Sequence, residues 1–191
     1  MSSRLPLPLP PYTYVPGGAW PHPTRSPDGH SWGRQHGAID PILADQWQSS
    51  PAYLRGVALF NAGYYWEAHE SWESLWHAHG RRGPTADLLQ GLIKLAAAGV
   101  KVREGRPAGV RTHASRAARL FEKSRLEAGR FQLGLDLEEC ARQALDTATN
   151  PPADSAAPGR PVTCVFAFQL KPRTPPEIDS RPATNDDQAA R

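Results

Sequence analysis

His69, Glu70 and Glu73 are the residues of this chain whose types and spacing could do chemistry. They lie in the run Phe60-Asn61-Ala62-Gly63-Tyr64-Tyr65-Trp66-Glu67-Ala68-His69-Glu70-Ser71-Trp72-Glu73-Ser74-Leu75-Trp76-His77, where acids and histidines alternate with Tyr and Trp rings. An imidazole and two carboxylates suit a divalent metal. A metal held there would bring the pKa of water toward neutrality and supply a nucleophile for hydrolysis, with Glu70 and Glu73 as the catalytic carboxylates. The spacing departs from the familiar metal motifs. Position 73 is Glu, so His-Glu-x-x-His is absent, and neither Glu67 nor Glu70 is followed three residues later by the histidine of a carboxylate-bridged di-iron bundle.

The same residues admit two other readings. In the one that their surroundings favour, Asn61, His69, Glu70, Glu73 and Gln90 form a buried hydrogen-bond network that fixes helix register in a non-catalytic binding or scaffold module. In the other, carboxylates beside Trp66, Trp72 and Trp76 line a pocket for a cationic or aromatic small molecule. Asn61, Trp66, Gln90 and His113 are the candidate binding residues. No constellation supports a serine or cysteine nucleophile.

A helix must position these groups. Stepping about 100° per residue from Trp66 puts Glu70 at about 40°, Glu73 at about 340° and His69 at about 300°. His69 and Glu73, four apart, can touch, as can Glu70 and Glu73, three apart. Trp76, Tyr65 and Trp72 continue the same arc and Leu75 closes it. Glu67, Ser71 and Ser74 fill the remaining sector, which reads as water-facing, so Glu67 is the acid least suited to chemistry.

The neighbouring elements are also helical. Pro41 opens a short helix through Trp47, and Pro51 opens a second with Leu54, Val57, Ala58 and Phe60 as its buried side, closed by Asn61-Ala62-Gly63. Pro84 to Arg103 is apolar over most of its circumference and is expected at the centre. Pro107 opens the next helix, with Val110, Ala114, Ala117, Leu120 and Phe121 inward and His113 on that face, where a histidine is more often a hydrogen-bonded core residue than a ligand. Asp136 to Ala148 is the last. The expected fold is all-α: a compact bundle of about five to six helices spanning residues 39–150. Before it, residues 1–38 form an extended proline-rich arm whose Tyr12, Tyr14, Trp20 and Trp32 should pack on the core and whose His22, His30 and His36 are further possible ligands. After it, residues 151–191 form an irregular, partly disordered tail with one β-like run, Val162 to Leu170, that has no partner strand.

Composition bounds the function. The chain has 191 residues, 39% hydrophobic, and 20 prolines crowded at both ends. Its two cysteines make neither a disulfide framework nor a zinc spacing, which points to a reducing, cytoplasmic setting. No apolar run is long enough to span a membrane and the first residues lack the apolar stretch of a signal peptide. Between Lys101 and Arg130 nine basic residues face three acidic ones. That excess reads first as a solvated helix face. Nucleic acid is not expected as a partner, since no groove-reading or base-stacking motif accompanies it.

The run Phe60-Asn61-x-Gly63-x-Tyr65-Trp66-Glu67-Ala68-His69-Glu70-x-Trp72-Glu73-x-x-Trp76 resembles the signature of the domain of unknown function 309 family. Leu89-Gln90-Gly91-Leu92-Ile93-x-Leu95-Ala96-Ala97 and Gly109-x-x-x-His113-x-x-Arg116-Ala117 are similar to its second and third blocks, and Tyr14-Val15-Pro16-Gly17, Pro21-His22-Pro23 and Gly29-His30-Ser31 to an extension that some members carry. The resemblance implies a small all-helical prokaryotic domain, sometimes labelled a predicted metal-dependent hydrolase.

Overall fold

A computed structural model describes residues 8–34, 39–153 and 160–173 of the chain. Among them the architecture is all-helical apart from one hairpin. A short 3-10 helix, Ala44–Ser49, precedes α1 (Pro51–Asn61), α2 (Tyr65–Ala78), α3 (Pro84–Arg103) and α4 (Pro107–Ala128). The hairpin strands β1 (Phe131–Gln132) and β2 (Leu135–Asp136) then lead into α5 (Leu137–Thr149).

Prolines set the starts: Pro51, Pro84 and Pro107 each occupy a first helical turn, where the missing N–H costs nothing. Ser50 caps α1 by accepting from the Tyr53 N–H, and Asp136 caps α5 by accepting from the N–H groups of Glu138 and Glu139. Gly63 ends the α1–α2 corner at φ +86°, a conformation that favours glycine, with the Thr163 backbone seated where a Cβ would be.

The core is organised around α3, which packs on α2 and on α4, while α4 packs on α5. Leu88, Leu89, Leu92 and Leu95 are all fully buried, each contributing on the order of 1.5–3 kcal/mol by leaving water. Two glycines of α3 admit rings from its neighbours: Tyr65 of α2 lies against Gly99, and Phe121 of α4 against Gly91.

Several expectations need correction. The buried side of α1 is Tyr53, Gly56, Val57, Leu59 and Phe60; Leu54 and Ala58 face outward. Gly56 sets this rotation. Lacking a Cβ, it lets the Trp72 indole lie directly on α1, and Trp72 Nε1 donates to the Tyr53 carbonyl at 3.3 Å. The short helix begins at Ala44 rather than Pro41, and the β1–β2 hairpin was not anticipated. The stretch 160–173 is irregular but is not a loose tail: Val162, Val165, Phe166, Phe168 and Leu170 pack on the core. The Thr184 to Arg191 end, the part of the tail expected to be disordered, and His36 lie outside the described residues.

Candidate functional site

Helix α2 is clamped along two lines. Tyr65, Ala68, Trp72 and Leu75 are buried against α1 and α3, and the Tyr65 hydroxyl accepts from the Val165 N–H at 2.9 Å. That burial pushes the Tyr65 phenol up to about 12. With the buried line fixed, His69, Glu70 and Glu73 come together beside it, each half-buried, with one ligand atom from each lying within 4.8 Å of the others. His69 Nδ1 is shut off from solvent and has no hydrogen-bond partner, although Glu70 Oε1 lies 3.4 Å away. The pair does not meet hydrogen-bond geometry.

Helix register brings further groups to this level. Helices α2 and α3 are consecutive and antiparallel, and the Tyr65–Gly99 contact sets Glu70 about level with Lys94 and Glu73 with Gln90 and Gly91. On the other flank Gly109 of α4 meets Lys101 and Gly91 meets Phe121, which sets His113 and Arg116 beside the same stretch of α3. His113 Nδ1 is buried without a partner. Burial, and then the charges of Lys94, Lys101, Arg116 and His69, lower its pKa, so the ring is neutral at pH 7. Lys101 is held by Glu104 at 2.8 Å, whereas Lys94 has no hydrogen bond or ion pair among the described residues.

Glu67 is the largest departure from the expected picture. It is not water-facing: only 7% of it is exposed, because the N-terminal segment crosses it. Its Oε2 accepts from the Thr13 hydroxyl at 2.5 Å, and its Oε1 accepts from the Tyr14 N–H at 3.1 Å and from His30 Nε2 at 3.1 Å. Tyr12, buried, braces the crossing by donating to the Pro21 carbonyl and accepting from the His30 N–H. Trp20 stacks on Tyr12 and is 37% exposed, while Trp32 is 52% exposed. Ser71, assigned to the same water-facing sector, donates to the Ala52 carbonyl of α1. The sequence clue was the pairing of a helix carboxylate with Thr13 and His30, residues too distant in sequence for periodicity to connect.

His22 sits in the same segment, its ring edge-on to Trp66 at 5.3 Å and tilted against Tyr14 at 4.6 Å. Its Nδ1 accepts from the N–H groups of Thr24 and Arg25, both at 3.3 Å. Burial and Arg25 lower its pKa, against an opposing pull from Glu70. The neutral ring assigned from these partners therefore carries its proton on Nε2.

Of the remaining candidates, Trp66 flanks the cluster and His113 stands at its far side. Gln90 is half-buried without a hydrogen bond among the described residues. Asn61 stands apart: its Nδ2 donates to the Leu170 carbonyl and its Oδ1 accepts from the Leu170 N–H, both at 2.8 Å. The network expected to join Asn61, His69, Glu70, Glu73 and Gln90 is thus not formed among the described residues. Nor is a three-tryptophan lining: Trp72 is wholly buried, and the guanidinium of Arg81 covers the Trp76 ring.

The model of a protein family described as Domain of unknown function (DUF309) matches residues 53–113, from the first turn of α1 to His113 of α4. Among curated proteins nothing matches the chain.

Proposed function

We propose that this chain, whose residues 53–113 are a domain of the DUF309 family, binds a divalent cation through His69, Glu70 and Glu73. The carrying observation is the convergence of three donors of suitable chemistry to within 4.8 Å, one of them from a histidine whose buried Nδ1 has no hydrogen-bond partner. Ligands held at about 2.1 Å by a tetrahedral cation are about 3.4 Å apart. Small rotations of half-exposed side chains therefore suffice to close the set. Two carboxylates with no bound cation repel each other, which gives the site a reason to take one.

A divalent cation bound here would supply an activated water, and metal-dependent hydrolysis is the reaction class this donor set would serve. In that role Glu70 and Glu73 would hold the cation together with His69. Neutral His113, close enough for His69 to act on its pKa, would be the proton acceptor beside them. The test is calorimetric titration of Zn2+ and Mn2+ into chelator-treated protein purified without a histidine tag. One site per chain is expected, lost in Glu70→Gln and Glu73→Gln. Equal binding by wild type and both variants would refute the assignment.

A further inference from the structure

Around the three cation ligands stand groups of the opposite character. Lys94 stands on α3 about level with Glu70 and close enough to His113 to act on its pKa, half-buried and without a hydrogen-bond or ion-pair partner among the described residues. Lys101, two turns further along the same face of α3, shows the contrast, since it is neutralised by Glu104 at 2.8 Å. Arg116, three residues after His113 on α4, is exposed and likewise unpaired among the described residues. From the arm, His22 brings an imidazole whose Nδ1 is occupied by two backbone N–H groups. Its Nε2 is therefore an N–H donor and is not available as a metal ligand.

Charge counting decides what could satisfy this arrangement. A divalent cation cancels Glu70 and Glu73. Lys94 and Arg116, which both act on His113, are then left over with one neutral N–H donor from His22, and no protein acceptor among the described residues remains for them. A dianion coordinated to the cation would meet all of these demands at once. Phosphoryl groups are the class with that charge near neutral pH and with enough oxygens to face a metal on one side and N–H donors on the other. A carboxylate has one charge fewer and two oxygens only.

We infer that the ligand of this site carries a phosphoryl oxyanion, bound to the cation and held by Lys94 from α3 and His22 from the arm. This rests on the cation site proposed above. The arm is then a wall of the site, and the Glu67 clasp is the positioning device that brings His22 to it.

The experiment uses the full chain and inorganic phosphate as the probe. Phosphate is titrated calorimetrically into apo and Mn2+-loaded protein, with acetate as the singly charged comparison. Phosphate should bind the Mn2+ form at least about tenfold more tightly than the apo form, and acetate should show no such gain. Lys94→Gln should weaken phosphate by about tenfold or more while Mn2+ affinity stays at the wild-type value, and Lys94→Arg, which keeps the charge, should retain it. His22→Phe should weaken phosphate without weakening Mn2+, and circular dichroism confirms that each variant is folded. If the wild type takes Mn2+ but binds phosphate no better with it than without, the inference is wrong. It is equally wrong if Lys94→Gln and His22→Phe both bind phosphate as the wild type does. Loss of Mn2+ binding in His22→Phe would make His22 a ligand and overturn its assigned role. Wild-type protein that takes no Mn2+ at all would remove the cation site and this inference together.

Discussion

Replacing Glu67 by Gln should destabilise the protein far more than a surface glutamate does. The carboxylate is 7% exposed and accepts three hydrogen bonds, from the Thr13 hydroxyl, the Tyr14 N–H and the His30 imidazole. An amide of the same shape offers one acceptor oxygen and turns its NH2 toward a donor, so one or two buried donors lose their partner. Each stranded donor costs about 1–3 kcal/mol, and the Thr13 hydroxyl escapes part of that by rotating. The expected loss is therefore about 2–4 kcal/mol, against about 0.5 kcal/mol or less for an exposed position. Urea unfolding followed by tryptophan fluorescence measures it, and the cycle with Thr13→Val locates it. Because both residues share one bond, the double variant should lose less than the sum of the singles, by about 0.5–3 kcal/mol. A change within about 0.5 kcal/mol for Glu67→Gln, or strict additivity with Thr13→Val, would refute the clasp.

Three other outcomes follow from single contacts. His79 Nε2 accepts from the Ile42 N–H at 3.0 Å and burial lowers its pKa. The unfolded ring binds its proton first, so this contribution is present above about pH 6.5 and is lost as pH falls from there toward the lower folded value; His79→Gln should flatten that part of a stability–pH curve measured by denaturation. Gly56→Ala places a methyl group in the Trp72 indole and should cost about 1–3 kcal/mol, read as a lower urea midpoint at unchanged slope. Asn61→Ala removes both bonds to Leu170 and should expose the stretch around Phe166 and Phe168 to limited proteolysis while leaving metal affinity as it was.

Much of the fold was legible because it is written in local signals. Prolines at the first turns of α1, α3 and α4 and the glycine at the α1–α2 corner marked ends that periodicity alone would leave blurred. The rotation of α1 was not legible: Leu54 is as apolar as Leu59, and only the close approach of Trp72 to Gly56, a contact between helices, chooses the face. The hairpin turns on Leu133 and Gly134, both at positive φ, where leucine in place of the usual Asn or Asp hid the signal. At the site, His69, Glu70 and Glu73 could be brought together on paper because three- and four-residue spacing along one helix is sufficient. Glu67 could not be placed, because its partners Thr13 and His30 come from a segment with no period at all. The helical wheel assigned it to water only for want of knowing what crosses it. Asn61 looked like a member of the cluster for the converse reason: it is near in sequence, but its amide is spent on Leu170.

A cation at His69, Glu70 and Glu73 is tested most directly by anomalous diffraction at the zinc edge from crystals grown with Zn2+. It should show one peak inside the helical domain, within about 2.0–2.2 Å of a His69 ring nitrogen and of oxygens from Glu70 and Glu73. Zinc found only elsewhere on the chain, with these three side chains placed as they are without it, would contradict the claim.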